Sequence, residues 1–382
     1  MKKICVVVNS RANYGRIKSF LTAVEEHPEL QLQLIVGASA LLYRFGSVVD
    51  IIKKDGFDPV SVVYSIVEGE NPSTMAKSTG LGILELATQF ENLKPDVVLT
   101  VADRFETLST AVASSYMNIP LAHTQGGELT GSIDESVRHA ITKLAHIHFP
   151  ATDKAGELLQ QMGEHPDNIH IAGCPAIDLA EQSTKKTCTN LFEKYGGTGE
   201  NLDWDKPFLV VLQHPVTTEY QEAARQTKAT LEAIRRTGMQ TAWFWPNVDA
   251  GSDAVSKTLR VFIGKNKNAP FHFYRNFTPE DYVHLINRCQ CIVGNSSSGI
   301  REGSFLGTPC VNVGTRQNQR ERGENVIDVG HEAGAIYAAV TSQIEHGKYV
   351  SSNLYGDGKA GEKMADILSK HHVDIRKTFY IA

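Results

Sequence analysis

Short, largely apolar runs recur along the chain at residues 4–8, 32–36, 60–64, 97–101 and 119–122, with longer amphipathic stretches between them. A run too short for a helix and apolar on both faces reads as a strand buried on both sides. The stretches between read as helices, among them residues 48–54 and a long one ending near Phe90. Strand, helix, strand, helix through residue 122 is the pattern of a parallel sheet covered on both faces. It continues with a helix over 133–146, a short strand at 148–152, a helix over 153–162 and a strand at 169–175 ending in a Gly/Pro break. From Gln182 to Lys206 the chain is polar apart from Leu191 and Phe192, and the inter-domain connection is expected there. Residues 208–212 restart the alternation. A helix over 219–237, strands at 241–246, 271–274, 291–293 and 309–313, and a terminal helix over 361–379 follow. Two successive doubly wound units of this kind face one another across a cleft lined by their strand C-termini.

A chain of 382 residues exceeds one ordinary core, in agreement with two domains. Its 41% apolar and 21% charged residues describe a globular protein, not a disordered or coiled-coil one. A net charge of −5 argues against a nucleic-acid partner, which requires a clustered basic face. No apolar run approaches the roughly 18–20 residues that span a bilayer, so no membrane partner is expected. The opening MKKICVVVNSR reads as a first strand and not a signal peptide, and a cytoplasmic location is expected. The six cysteines form no CxxC pair, which fits reduced thiols. Cys289-x-Cys291 reads as ordinary core at a helix–strand junction.

Chemistry-bearing residues gather at the ends of these strands. The 97–101 run stops at Asp103-Arg104. The next strand delivers the loop His123-Thr-Gln-Gly-Gly-Glu128, followed by Ser132-x-x-Glu135, which predicts a capping box for a new helix. Asp134 and Arg138 share a face of that helix, either as a surface ion pair or as a cleft carboxylate oriented by an arginine. Asp103 is a helix cap or a site carboxylate, and its place beside Arg104 and opposite a Gly-Gly loop favours the site. His123, deeper in its strand, is expected to be structural. His214 follows Gln213 at a strand tip, where a core histidine is unusual. Arg11 and Arg16 fall where helix N–H groups and basic side chains jointly hold an anion.

In the second half, Asn295-Ser-Ser-Ser-Gly-Ile-Arg-Glu302 lies between a strand end and a helix start. Several N–H and O–H donors converge in such a turn, as a diphosphate requires, and Glu302 is placed to accept from ribose hydroxyls. Of Arg316, Arg320 and Arg322, one is expected to face phosphate and the others solvent. No GxGxxG follows the first strand and no GxxxxGK[ST] occurs, which disfavours dinucleotide and P-loop sites. Asp203-Trp-Asp205 resembles a cation-holding acidic pair, but it precedes a strand where such a pair should follow one. No metal site is expected.

Taken in order, SRANYGR, PDVVLTVADRFE, HTQGGELTGSIDESVRHAITKLAH, AGCPAID, LQHPVTTE, PNVDAGSD, GNSSSGIREGSFLGTPCVNVGTRQ and ERGENVIDV run across nearly the whole chain. They resemble the UDP-N-acetylglucosamine 2-epimerase family, specifically its hydrolysing branch in sialic-acid and related nonulosonate synthesis. The Gly-Gly-Glu loop with SIDESVRHAITK is the part specific to that branch. The resemblance implies an α/β fold of two Rossmann-like domains facing across a cleft, the glycosyltransferase-B arrangement. An N-terminal domain over 1–185 would carry the sugar-side catalytic residues and a domain over 186–363 would bind UDP. A terminal helix over 364–382 would cross back to the first domain.

The implied reaction is anti elimination of UDP across C1–C2 of UDP-N-acetylglucosamine, giving an enzyme-bound 2-acetamidoglucal. Water then adds at C1 and a proton at C2 from the other face, yielding N-acetylmannosamine and UDP without a cofactor. The implied partner is a UDP-sugar, and relatives are commonly dimers or tetramers, so a homodimer or homotetramer is expected. Asp103 and Asp134 match the family's catalytic carboxylates and His214 its cleft histidine. Arg11, Arg104, Ser296, Ser297, Glu302 and Arg316 match nucleotide-sugar contacts, with Arg16, Arg138 and Asn247 expected beside them. Gln125 stands where several relatives carry a catalytic-site glutamate. An amide cannot shuttle a proton, so either the two aspartates suffice or Glu128 takes part. Gln125 also raises a different sugar, the 2,4-diacetamido-6-deoxy sugar that leads to legionaminic acid. A non-hydrolysing epimerase and a retaining glycosyltransferase of the same architecture are the competing readings.

Overall fold

The apolar runs are taken up by two separate parallel sheets in the computed structural model, which describes residues 1–381. The first contains β1 (Lys2–Val8), β2 (Leu30–Gly37), β3 (Ser61–Val63), β4 (Val97–Val101), β5 (Leu121–Thr124) and β6 (Ile147–Phe149) in the order β3-β2-β1-β4-β5-β6. The second contains β7 (Gly197–Gly199), β8 (Phe208–Leu212), β9 (Gln240–Phe244), β10 (Phe271–Tyr274), β11 (Cys291–Gly294), β12 (Cys310–Val313) and β13 (Val326–Val329). Its order is β13-β12-β11-β8-β9-β10-β7, with only β7 antiparallel. The direction of winding therefore reverses between β1 and β4 in one sheet and between β8 and β11 in the other. Ligands of open α/β sheets bind at such reversals, beyond the strand C-termini.

Helices α1 (Arg11–Glu26), α2 (Val48–Lys54), α3 (Pro72–Leu93), α4 (Phe105–Tyr116), α5 (Asp134–Leu144), α6 (Asp153–Gln161) and α7 (Pro175–Thr184) accompany the first sheet. The second is accompanied by α8 (Leu191–Lys194), α9 (Ala223–Thr237), α10 (Ser252–Lys265), α11 (Pro279–Arg288), α12 (Glu302–Phe305) and α13 (Ala333–His346). Alternate residues of each central strand feed opposite layers, as the period of two demands. Ile4, Val6 and Val8 pack with Ile17, Phe20 and Leu21 of α1, whereas Cys5 and Val7 pack with Leu86 and Phe90 of α3. In the second sheet Leu209 and Val211 meet α9 and α13, while Val210 and Leu212 meet Leu191 of α8 and Leu285 of α11. Among the described residues no helix is long and apolar enough to cross a membrane.

Four details depart from the sequence reading. Residues 169–175 form no strand, only a single bridge from Ile169 to His148, before Cys174 caps α7. The polar tract after α7 holds α8 and β7, and Leu191 is already fully buried in the second core. Ser132 and Glu135 make no capping box: the Glu135 carboxylate turns back to accept from Thr130 N (2.6 Å) and Arg138 Nη1 (3.0 Å). The last helix, α14 (Ala360–Lys370), stops well before Phe379. Beyond it the tail is fixed by contacts a continued helix could not reach, with Lys377 Nζ donating to Thr142 O (2.8 Å) and Tyr380 N to Gly163 O (2.9 Å).

Helix α14 returns to the first sheet and buries Met364, Ala365 and Leu368 against α1. The approach is close enough that a Cβ on Gly361 would lie 2.7 Å from Phe20 N. Its start is fixed by Asp178 of α7, whose carboxylate accepts from Ala360 N (2.8 Å), Gly361 N (2.7 Å) and Ser19 Oγ (2.9 Å). Asp178→Ala leaves these donors unpaired in a buried seam and is expected to lower stability by about 1–3 kcal/mol. Urea denaturation checks this, and an unchanged midpoint would remove Asp178 as the anchor of α14.

Candidate active site

Each strand at the two winding reversals delivers a loop into one shared cleft. After β1, Ser10 caps α1 by accepting from Asn13 N, which sets Arg11 and Arg16 at the cleft edge. After β4, Ala102 takes the left-handed conformation (φ 62°) and turns the chain so that Asp103 and Arg104 precede α4. After β8 and β11, His214 and Asn295 lock the two tips together reciprocally, His214 N donating to Asn295 Oδ1 and Asn295 Nδ2 to His214 O (both 2.8 Å). The cleft between the loops has an empty volume of about 1460 Å³, open mouth included.

The wall from the second sheet is hydroxylic and basic. Ser296, Ser297, Glu302 and Arg316 line it, and Tyr282 OH lies 2.6 Å from Ser298 Oγ. The helix start expected after β11 is there but short: a 3-10 turn over Ser297–Gly299 leads into the four-residue α12 at Glu302. Any anion here is met by hydroxyls, loop N–H groups and arginines, with little contribution from a helix dipole. Arg16 Nη2 donates to Ser297 Oγ (2.5 Å), and Arg11 donates across the cleft to Trp245 O (3.1 Å) and Arg275 O. Burial, then the cations Arg316, Arg11 and Arg104, push His214 well below its ordinary pKa, so the imidazole is neutral. Its Nδ1 accepts from Asn247 N (3.4 Å), which leaves the proton on Nε2.

The wall from the first sheet is acidic, and its two aspartates have opposite environments. Burial alone would raise Asp103, but Arg138, Arg320 and Arg16 together outweigh it and hold its carboxyl far below the usual range. Arg138 is bonded directly to Asp103, and Arg320 Nη2 lies 3.8 Å away. Asp134, in the first turn of α5, is pushed up to about 6, first by burial and then by the neighbouring Asp103 charge. Its contact across the cleft is Arg316 Nη2 at 3.4 Å. Beside it the two walls touch: Gly131 N donates to Arg316 O (3.2 Å), and a Cβ on Gly131 would fall 1.9 Å from Thr315 O.

Of the residues singled out in the sequence, Asp103, Asp134, His214, Arg11, Arg16, Arg104, Asn247, Ser296, Ser297, Glu302 and Arg316 all reach the cleft. Arg104 is nonetheless taken up by protein carboxylates, 3.1 Å from Glu106 and 2.9 Å from Asp249, so it braces the cleft more than it offers a free cation. Gln125, Glu128 and Arg138 stand behind the wall. The Gln125 amide accepts from Arg301 Nη1 (2.6 Å) and donates to Cys174 Sγ (3.3 Å). Glu128 is clamped by Arg301 (2.5 Å) and Arg320 (3.1 Å). Direct proton transfer by Gln125 or Glu128 to a bound sugar does not fit these positions. His123 is fully buried, Nε2 2.8 Å from Ala102 O.

Three further participants take their places only in the fold. Arg301 stands inside the serine-rich motif and is almost completely buried. Arg320, expected in solvent, is 5% exposed because Asp103 and Glu128 draw it inward. Asp249 sits in the PNVDAGSD stretch, but only the fold brings it to Arg104. Arg322 pairs with Asp328 outside the cleft, and Asp203 is tied to its own turn through Asp205 N (3.0 Å).

Comparison with known proteins agrees with this geometry. The UDP-N-acetylglucosamine 2-epimerase family matches residues 22–369. The chain is 33% identical over 96% of its length, and 96% of the relative's, to a UDP-N,N'-diacetylbacillosamine 2-epimerase (hydrolyzing) of Legionella pneumophila. It is 30% identical to a UDP-N-acetylglucosamine 2-epimerase of Neisseria meningitidis, covering 97% of this chain and 95% of that one. The fold is similar to that of the Methanocaldococcus jannaschii UDP-GlcNAc 2-epimerase solved with UDP-GlcNAc and UDP. The TM-score is 0.80 at 18% identity, over 97% of this chain and all of that one. Two Rossmann-like domains in the glycosyltransferase-B arrangement, closed on a cleft with paired aspartates opposite a serine–arginine wall, belong to a chain of the UDP-N-acetylglucosamine 2-epimerase family.

Proposed function

We propose that this chain hydrolyses UDP-N-acetylglucosamine with inversion at C2, releasing UDP and N-acetylmannosamine through an enzyme-bound 2-acetamidoglucal. The observation that carries the reading is the pair of buried aspartates held at opposite ends of the carboxylate range in one cleft. Environments that push two acids apart assign them different tasks. Asp134, near 6, is the stronger base and is matched to removing the weakly acidic C2 proton. Asp103, kept anionic by its arginines, stabilises positive charge developing at C1 as UDP departs and orients the water that adds there. The OH of that water bonds to C1 and its proton goes to the opposite face of C2, while the proton taken by Asp134 is released to solvent with UDP. The neutral His214 presents Nε2–H to the departing diphosphate, with Arg11, Arg16, Arg316 and the serines sharing its charge.

A second sugar has a specific observation in its favour. The Legionella relative is named for a diacetamido sugar, so UDP-2,4-diacetamido-2,4,6-trideoxyglucose is the alternative substrate of the same reaction. Incubating the chain with each UDP-sugar alone and following products by NMR tests both. UDP and free 2-epimerised sugar in equal amounts are expected. UDP-N-acetylmannosamine as product would mean a non-hydrolysing epimerase, and no turnover without an acceptor would sink the proposal.

Asp103→Asn and Asp134→Asn are each expected to lower kcat by about 10²-fold or more without weakening UDP binding. Wild-type turnover in either would remove that residue from the mechanism. A base must be ionised to work, so kcat/KM should rise with pH through an acidic limb near the Asp134 value of about 6 and level off above it. Asp103, ionised throughout, adds no limb in that range. A profile flat down to ordinary carboxylate pKa values would contradict the assignment of Asp134 as base.

A further inference from the structure

One cation touches both halves of the proposed chemistry. Arg316 lies on the diphosphate wall beside Ser296 and Ser297, yet its Nη2 is 3.4 Å from Asp134 Oδ2 and its Nη1 3.2 Å from Asn295 O. The charged groups facing Asp134 are Asp103 and Arg104 from the β4–α4 turn, Asp249 from the loop before α10, and Arg316 from the loop after β12. On its own helix, Arg138 is committed to Asp103, Glu135 and the Glu128 carbonyl. Arg104 is committed to Glu106 and Asp249. Removing either would strand a buried carboxylate, which is costly. Arg316 differs: its single contact to Asp134 is long, and the guanidinium is itself partly open to the cleft. A diphosphate diester brings two charges and several acceptor oxygens to the same place, and guanidinium binds such groups in bidentate fashion.

We infer that Arg316 is shared between Asp134 and the substrate diphosphate, so that binding withdraws the cation from Asp134 and leaves a stronger base beside the sugar. The inference rests on the reading of the cleft as a UDP-sugar site. The coupling is reciprocal: whatever removes the Asp134 charge must tighten diphosphate binding, because Arg316 no longer has to be won from a carboxylate.

The test is calorimetric binding of UDP-glucose, whose diphosphate diester has no group titrating near neutral pH, to wild type, Asp134→Asn, Arg316→Gln and the double variant. Asp134→Asn should raise affinity about fivefold or more at a pH where Asp134 is ionised, and the gain should shrink to less than about twofold in the Arg316→Gln background. Wild-type affinity should rise as pH falls through the Asp134 titration, while Asp134→Asn stays flat. Arg316→Lys, which keeps the charge, should retain most of the gain. No gain in Asp134→Asn, a gain of equal size without a cation at 316, or a lysine variant behaving like glutamine would each overturn the inference. Failure of the wild-type chain to bind UDP-glucose at all is a different result, and it would overturn the reading of the site itself.

Discussion

The closed arrangement depends on a layer of arginines and carboxylates that neither half of the chain neutralises alone. Asp103 and Glu128 come from loops of the first sheet and Arg138 from α5, and Arg301 and Arg320 come from loops of the second. All five are almost completely buried. Charges taken out of water are tolerable only when paired and hydrogen-bonded. Separating the sheets would leave Glu128 without its guanidinium clamp and Arg301 without a counter-charge. Charge pairing thus selects one relative placement of the two sheets, and the cleft inherits its width and alignment from that choice.

The same layer produces the asymmetry between the two aspartates. Asp103 points into the arginines and is held as an anion, whereas Asp134 faces the carboxylates of Asp103 and Asp249, with Arg316 and Arg104 too weakly placed to offset them. Two carboxyl groups of equal intrinsic strength become a permanent charge and a titrating one through placement alone. The bracing cations are spent on protein partners, and Arg316, Arg11 and Arg16 remain on the open face for a ligand.

Much of this could be read from the chain before the fold was known, and the limits have physical causes. The alternation of short apolar runs with amphipathic stretches reports both sheets directly, because strands buried on both faces leave no room for polar residues. Asp103, His214 and the serine motif were visible because each interrupts such a run at its end. Arg301 and Arg320 were not, since nothing local distinguishes an arginine that meets a carboxylate 173 or more residues away in sequence from one in solvent. Gln125 misled for the complementary reason: its motif lies at the cleft, but φ of 61° turns its amide away toward Arg301 and Cys174. The failed strand at 169–175 and the shortened last helix share a third cause. Their apolar pattern is genuine, but the pairing that would extend them is replaced by contacts with distant segments.

Gly131 gives the cleft a property that no side chain could supply. Its bare Cα sits against Thr315, and the backbone bond to Arg316 beside it is possible only at that separation. The missing Cβ is what lets the two walls meet at this point. Under the proposed reaction the glycal has to be held until water has added, and a methyl group at this seam would force the two walls apart. The fit of the two walls at the rim thus depends on one absent atom.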